Sequence, residues 1–367
     1  MKYLLTALFV FISYQSLSAQ SITVTTVPDQ DGHNLYTFPV QNGSLIYSNQ
    51  QFIFADAQIV QPEAWSLSPG KNKLAFLQKE GTLFLRSFDY AGRILIEQSL
   101  EFFDPDDSTL DVYQLSDGRV IVRDNVANFS FFDSRGEQIF SVSNFAQSPD
   151  GERESRFSSD KYGRTIVLYN PVIAYSSSMG SRAQLMFGEN QTESFFRDDS
   201  REIKSLVVSD DGAFITLIAS DGNNDRVLIF DRFGNELFSL DADGVLTGAV
   251  VSDCGEFVTT FSEARMQVIR VADGESIGSA SARNQIIKAT FFPQDEILVS
   301  INGILNNNRI SNGSVTAVHL SRRQIASENI NIQLSMLHTD RLNLNWYSSN
   351  QFRTGGLNRD LIIEARF

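Results

Sequence analysis

The sequence predicts an all-β fold, a single β-propeller built from four-stranded antiparallel blades. A strand–turn–strand unit recurs along the chain, and its six steps from Ser68 to His338 cover 270 residues, a mean spacing of 45. The composition is 42% hydrophobic, with 29 Phe among the strand-favouring residues. No stretch has the i, i+3, i+4, i+7 apolar spacing of an amphipathic helix. A strand-rich period of 40–50 residues is typical of a propeller blade.

The first turn of the unit contains Ser-Asp-x-Gly between two apolar strands. Two clear copies are VVSDDGAFITLIASDG, from Val207, and VVSDCGEFVTTFSEAR, from Val250. The other copies are WSLSPGKNKLAFL (from Trp65), YQLSDGRVIVRD (Tyr113), RFSSDKYGRTIVLY (Arg156), TFFPQDEILVSI (Thr290) and SMLHTDRLNLNW (Ser335). The second strand is apolar nearly throughout, which predicts burial on both faces between neighbouring blades.

A second turn recurs inside the unit as Phe-Asp-x-x-Gly. It occurs as FDYAGRIL (from Phe88), FDSRGEQIF (Phe132) and FDRFGNELF (Phe230). The aspartates at 89, 133 and 231 can accept backbone N–H bonds within the turn, and the glycines at 92, 136 and 234 can take a positive φ. Each unit is therefore a meander of four strands, with a more polar fourth strand at the outer edge.

The repeats predict eight blades, with seven as the alternative. Upstream of Trp65 a compact unit can be cut into four short strands, and seven blades result if that unit is not an independent blade. The last unit, from about Ile332, shows three strands: QLSMLHTD, RLNLNWYSS and DLIIEARF. The missing strand is available as SITVTTV, residues 21–27. Pairing of this N-terminal strand with the C-terminal blade would close the ring and hide its edges.

The recurring Ser-Pro/Asp-Asp-Gly hairpin resembles that of the bacterial WD40-like β-propellers, which carry it once per blade. The resemblance covers essentially the whole chain after its N-terminal segment. It implies the fold and leaves the function open, because propellers host many unrelated activities.

The N-terminal segment has the pattern of an export signal. Lys2 is followed by the apolar run YLLTALFVFISY (residues 3–14) and by QSLSAQ, a small-residue cleavage region. We expect residues 1–19 to be a signal peptide cleaved after Ala19, and residues 20–367 to form the propeller domain. The apolar run is short for a membrane span. The mature chain is therefore expected to be extracytoplasmic, either periplasmic or secreted, with no membrane insertion.

The charge and the cysteine count limit the partners and the chemistry. The formal net charge is −14, which argues against nucleic acid and anionic membranes as partners. Cys254 is the only cysteine, so the chain cannot form an intramolecular disulfide.

Two long segments between strands are predicted to be rim loops that bind a partner. They are YNPVIAYSSSMGSRAQ (residues 169–184) and INGILNNNRISNGS (residues 301–314). Long loops on one rim are where propellers usually carry binding. The candidate binding residues are Tyr169, Tyr175, Met179, Arg182, Asn306 and Arg309.

Calcium is the one cofactor that the sequence suggests. Asp221, Asn223 and Asp225 place oxygen side chains at alternate positions in DGNNDR, like the start of a calcium loop. The alternative is that they are solvated turn residues, since Arg226 stands where such a loop has Gly.

The sequence favours an exported, non-catalytic scaffold that binds a protein or glycan partner through its rim loops. The alternative is an extracytoplasmic hydrolase or lyase with its site in the central channel. The chain has no HExxH motif, and its three histidines are His33, His319 and His338. A cluster of carboxylates, His and Arg at the channel would favour the enzyme, and exposed aromatic residues on the rim would favour the scaffold.

Overall fold

The fold is taken from a computed structural model of the chain. It describes residues 21–28, 36–40, 43–48, 51–53, 59–60, 62–68, 73–89, 93–104, 110–124, 128–144, 155–160, 162–175, 178–187, 191–209, 211–242, 244–252, 254–291, 297–306, 309–330, 334–335, 345–348, 351–355 and 359–366. Side chains are described from residue 62 to residue 330, apart from 67, 175, 178, 179 and 309 and the gaps above. Within this part of the chain there is no helix with the length and apolar character that a membrane crossing requires.

The described strands form eight antiparallel sheets. The first strand, β1 (Ser21–Pro28), belongs to the last sheet. Sheet 1 contains β2 (Tyr36–Val40), β3 (Gly43–Ser48), β4 (Gln51–Ile53) and β5 (Ile59–Val60). Sheet 2 contains β6 (Ala64–Leu67), β7 (Lys73–Glu80), β8 (Thr82–Asp89) and β9 (Ile94–Ser99). Sheet 3 contains β10 (Asp111–Gln114), β11 (Val120–Arg123), β12 (Asn128–Phe132) and β13 (Gln138–Ser143).

The remaining sheets repeat the same meander. Sheet 4 contains β14 (Arg156–Ser159), β15 (Ile166–Tyr175), β16 (Ser178–Met186) and β17 (Thr192–Asp198). Sheet 5 contains β18 (Glu202–Val208), β19 (Phe214–Ser220), β20 (Asp225–Asp231) and β21 (Glu236–Asp241). Sheet 6 contains β22 (Gly248–Val251), β23 (Phe257–Ser262), β24 (Arg265–Arg270) and β25 (Ser276–Ser281). Sheet 7 contains β26 (Ile286–Phe291), β27 (Ile297–Asn306), β28 (Arg309–His319) and β29 (Gln324–Asn329), and β30 (Leu334–Ser335) pairs with β28. Sheet 8 contains β31 (Asn345–Ser348), β32 (Gln351–Gly355), β33 (Arg359–Arg366) and β1.

Sheet 8 joins the two ends of the described chain. β1 pairs with β33 from Ser21 opposite Arg366 to Pro28 opposite Arg359. The sequence predicts QLSMLHTD as a strand of this sheet, and this prediction is wrong. Leu334 and Ser335 of that segment pair with β28, and the strand Gln351–Gly355 takes the place in sheet 8. The packing of sheets 1 and 8 against each other depends on side chains outside the described residues. The number of blades and the closure of the ring therefore stay predictions.

Neighbouring sheets from sheet 2 to sheet 7 share apolar clusters. Leu85 of sheet 2 packs in one cluster with Val122 of sheet 3, and the same kind of cluster joins sheets 3 and 4, 4 and 5, 5 and 6, and 6 and 7. In β19 every side chain from Ile215 to Ser220 is buried. The apolar character of the second strands is explained by this burial on both faces, as the sequence predicts.

The Ser-Asp-x-Gly segment closes the hairpin between the first and second strands. The backbone N–H of Gly212 donates to the carbonyl of Ser209 at 2.9 Å, and the N–H of Phe214 donates to Oγ of Ser209 at 3.0 Å. At Ser252 the same bond to its Oγ comes from the N–H of Phe257, at 3.1 Å. The serine recurs because its hydroxyl satisfies a backbone donor inside the turn.

Sheet 4 uses an aspartate in place of this serine. Asp160 is buried, and its Oδ1 accepts the backbone N–H groups of Arg164 at 2.6 Å and Thr165 at 2.7 Å. Both of these backbone donors are satisfied by the carboxylate, as the serine hydroxyl satisfies one in sheets 5 and 6. The turn is thus preserved although the residue type differs.

The first turns of sheets 2 to 5 also contact one another. Three side chains donate to turn carbonyls: Lys73 Nζ to Ser116 at 2.6 Å, Arg119 Nη2 to Gly163 at 2.8 Å, and Arg164 Nη2 to Asp211 at 3.0 Å. These bonds run from sheet 2 to 3, from 3 to 4 and from 4 to 5. They hold the first turns of successive sheets side by side on one face of the molecule.

The opposite face carries the second–third turns and the connections between sheets, because successive turns of a meander lie at alternate ends. We call it the connection face. Here Oδ2 of Asp225, at the start of β20, accepts the backbone N–H of Leu246 at 2.6 Å. In sheet 7 the N–H of Gly303 donates to the carbonyl of Gln285 at 2.9 Å. Turns and connections are therefore tied together on this face.

The aspartates of the second turn form the turn, as the sequence predicts. Oδ1 of Asp133 accepts the backbone N–H groups of Arg135 and Glu137 at 2.8 and 2.9 Å. These bonds hold the pKa of Asp133 below its usual value. Asp231 binds the N–H groups of its own turn in the same way.

Gly234 meets two requirements of this turn at once. Its φ is +83°, in the left-handed region that favours glycine. A Cβ at this position would lie 2.5 Å from Cβ of Phe195, which belongs to sheet 4. The glycine therefore allows both the turn and the close approach of the neighbouring sheet.

Replacement of Gly234 should separate these two effects when it is compared with Gly81. Gly81 has the same φ of +83°, and a Cβ there would meet no atom within 4 Å. We expect Gly81→Ala to lower the free energy of unfolding by about 1–2 kcal/mol through the backbone alone. Gly234→Ala should cost about 1–3 kcal/mol more, because of the clash with Phe195. Urea denaturation of both variants measures the difference, and equal losses would contradict the close approach of sheets 4 and 5.

Candidate functional site

Two hairpins extend beyond their sheets on the connection face. The last residue of β15 paired with β14 is Tyr169, yet β15 continues to Tyr175. The last residue of β27 paired with β26 is Asn302, and β27 continues to Asn306. The extensions are six and four residues long, against three or fewer for β7, β11, β19 and β23. We call residues 170–182 the first arm and residues 303–313 the second arm.

The arms correct the prediction of two long rim loops. The described residues of 169–184 and 301–314 lie in strands: β15 runs to Tyr175 and β16 begins at Ser178, while β27 runs to Asn306 and β28 begins at Arg309. The physical reason is that each segment continues a cross-strand register from the blade below. Serine and asparagine within a hairpin pair through their backbone, so polar composition does not end the strands.

The base of the first arm is a structural anchor. Tyr169, predicted in a rim loop, lies instead in β15, is 8% exposed and packs in the cluster shared by sheets 4 and 5. Arg182 is half-buried, and its Nε donates to Oδ1 of Asn170 at 2.8 Å. Nδ2 of the buried Asn170 donates to the carbonyl of Asn144 at 2.9 Å, in the connection from sheet 3. These contacts fix the direction in which the arm leaves the sheet.

The other predicted binding residues lie at the tips of the arms. Met179 pairs with Ala174, and Tyr175 pairs with Ser178, while their side chains fall outside the described residues. In the second arm Asn306 pairs with Arg309 and is exposed. Arg309, whose side chain is also outside the described residues, pairs in addition with Ser335 of β30. Tyr175 and Met179 thus lie at the tip of the hairpin in sheet 4. Asn306 and Arg309 lie at the tip of the hairpin in sheet 7.

The second arm exposes two apolar residues that the sequence analysis did not select. Ile304 is 44% exposed and Leu305 is 39% exposed. Adjacent residues of a strand point to opposite faces, so both faces of the arm are open to solvent here. The sequence signal that identifies them is the apolar pair Ile-Leu within the polar segment INGILNNNRI.

Both arms lack acidic residues. The sequence has 44 Asp and Glu, yet none lies in residues 169–184 or 297–319. The only Lys or Arg residues in these segments are Arg182 and Arg309. A neutral or acidic partner therefore meets little local repulsion at the arms.

The three residues suggested for calcium have separate roles. Oδ1 of Asp221 accepts the backbone N–H groups of Asn223 at 2.9 Å and Asn224 at 2.8 Å, which holds its pKa below the usual value. Oδ2 of the buried Asp225 accepts from Nζ of Lys204 at 3.0 Å. Across the described side chains, no three of His, Cys, Asp and Glu are grouped to hold a metal ion.

We expect the melting temperature to be the same in calcium and in EDTA. The reason is that the Asp221 carboxylate already closes its own turn and that Asp225 already pairs with Lys204. Differential scanning calorimetry of the full chain measures this directly. A rise of the melting temperature with calcium concentration, absent in Asp221→Ala, would show that this loop binds the ion.

The described histidine lies away from the channel. His319 is the last residue of β28 and pairs with Gln324 of the outer strand β29, and its Nδ1 is 3.4 Å from Oγ of Ser321. The first strands of the sheets line the channel of a propeller, so His319 is not a channel residue. His33 and His338 lie outside the described residues.

Comparisons with known proteins support the fold and go no further. No protein family model matches the chain, and no curated protein sequence does. Among solved structures, BamB from Moraxella catarrhalis is similar with a TM-score of 0.52 and 14% identity, over 94% of this chain and 99% of that one. A chain of a mitotic checkpoint complex has a TM-score of 0.49 and 12% identity, over 83% of this chain and 90% of that one. The likeness to BamB confirms the predicted WD40-like propeller fold.

Proposed function

We propose that this chain is an exported, non-catalytic propeller scaffold that binds a protein partner on its connection face. The two arms carry the proposal. They are the longest extensions of the described sheets, and they project from the same face. Export follows from the predicted signal peptide of residues 1–19, which lies outside the described residues.

The second arm offers a partner both backbone and apolar contacts. β26 covers one edge of β27 only as far as Asn302. Residues 304–306 of β27 extend beyond the end of β26, so β26 does not cover their backbone edge. An open strand edge can accept an extended segment of another protein by strand addition. The exposed Ile304 and Leu305 would add apolar contacts on the two sides of that strand.

The rigid base of the arms favours recognition of a preformed partner. Arg182, Asn170 and Asn144 are joined by hydrogen bonds below the first arm. In the second arm, the buried Asn302 donates to Oγ1 of Thr316 at 3.0 Å. A hairpin held in this way loses little conformational freedom on binding, which improves affinity.

We expect the paired replacements Ile304→Ser and Leu305→Ser to abolish retention of the partner without changing the melting temperature. The matched control is Ile139→Ser with Leu237→Ser, two apolar residues that are similarly exposed on outer strands. Full-length chain and both variants would be used as bait for the extracytoplasmic fraction of the source organism. A protein retained by the unchanged chain and the control but not by the arm variant supports the proposal. Equal retention by all three, or retention of a glycan alone, contradicts it.

A further inference from the structure

The connection between sheets 2 and 3 holds one aromatic side chain fully in solvent. Phe102 is 99% exposed, whereas the other exposed large apolar side chains in the described part range from 37% to 64%. Single exposed apolar residues are usual in soluble proteins. Phe102 differs from the others in the extent of its exposure, since none of the described residues covers it.

The turn that carries Phe102 is anchored on both sides. The backbone N–H of Leu100 donates to the carbonyl of Leu83 at 2.7 Å, and the N–H of Phe103 donates to the carbonyl of Leu100 at 3.1 Å. Leu100 is buried in the cluster between sheets 2 and 3, and Phe103 packs against the same cluster. With both neighbours fixed in this way, the turn presents Phe102 outward and prevents it from folding back onto the core.

Acidic residues surround this aromatic residue. Glu101 and Asp104 flank it, and both are exposed. The segment from 101 to 107 contains four acidic residues and no Lys or Arg, although Asp106 and Asp107 lie outside the described residues. The turn between β7 and β8, on the same face, adds Lys79 and Glu80. Glu80 and Glu97 are paired with Arg86 at 2.7 and 3.0 Å. The immediate flanks of Phe102 are therefore acidic.

We propose that Phe102 is a binding anchor that inserts into an apolar pocket with a Lys- and Arg-rich rim on a partner protein. Residues at the energetic centre of interfaces are enriched in large aromatic and Arg side chains that fill pockets. The acidic flanks speed encounter with a basic rim and disfavour acidic surfaces. A second copy of this chain would present the same negative charge to its own turn, and an anionic lipid surface would be repelled in the same way.

This anchor is separate from the arms, although it lies on the same face. It belongs to the connection between sheets 2 and 3, whereas the arms belong to sheets 4 and 7. The inference rests on the proposed function only in requiring a protein partner. A partner can engage the anchor, the arms or both, and variants at the two places tell these cases apart.

The experiment places a photo-crosslinking benzophenone side chain at position 102 of the full-length chain in the source organism. The control position is Phe233, which is 64% exposed in the β20–β21 turn on the opposite face. We expect irradiation to join position 102, and not position 233, to one protein at a pocket bordered by Lys and Arg. No adduct at 102, equal adducts at both positions, or an adduct with lipid or with a second copy overturns the proposal.

Affinity measurements with the crosslinked protein then test the roles of the side chains. Phe102→Ala should lower the affinity about tenfold or more, and Phe233→Ala less than about twofold, with unchanged melting temperatures. Glu101→Lys with Asp104→Lys should slow association and reduce its dependence on salt. A loss of less than about twofold for Phe102→Ala overturns the anchor. If the variant with Ile304→Ser and Leu305→Ser binds normally while Phe102→Ala loses affinity, the anchor is supported and the proposed role of the arms is contradicted.

Discussion

The structure depends on each sheet covering the faces of its neighbours. A middle strand such as β19 is buried on both sides, so a single four-stranded sheet leaves two apolar surfaces that it cannot bury alone. The first turns add polar contacts to this packing, through side chains such as Arg119 that bind the carbonyl of the next turn. The first turns thus close their hairpins and also join neighbouring sheets.

The two faces of this structure therefore have different roles. One face is occupied by the turns that join adjacent sheets, with Gly234 packed closely against Phe195. The connection face carries the arms and the exposed side chain of Phe102. Binding on that face would leave the apolar clusters between the sheets intact. The separation suits a scaffold, because recognition and stability are carried by different residues.

Sequence reasoning was most reliable where a structure is set by local bonds. Asp133 forms its turn through backbone donors two and four residues away, so the pattern alone identifies its role. It could not identify contacts that distant residues decide: Asp225 pairs with Lys204, and Tyr169 packs in the cluster with the next sheet. The composition of the arms, rich in serine or asparagine, predicts loops because it conceals the backbone register of their strands. Phe102 is exposed because Leu100 and Phe103 on either side of it pack into the core, and no local sequence pattern predicts that packing.

Hydrogen exchange of residues 359–366 tests the closure of the ring most directly. In sheet 8, β33 lies between β32 and β1, so both of its edges are paired. The account predicts that its amides exchange as slowly as those of β19, which lies between β18 and β20. If β1 were not paired with β33, alternate amides of β33 would face solvent. Rapid exchange of about half of these amides would contradict the joining of the two chain ends in one sheet.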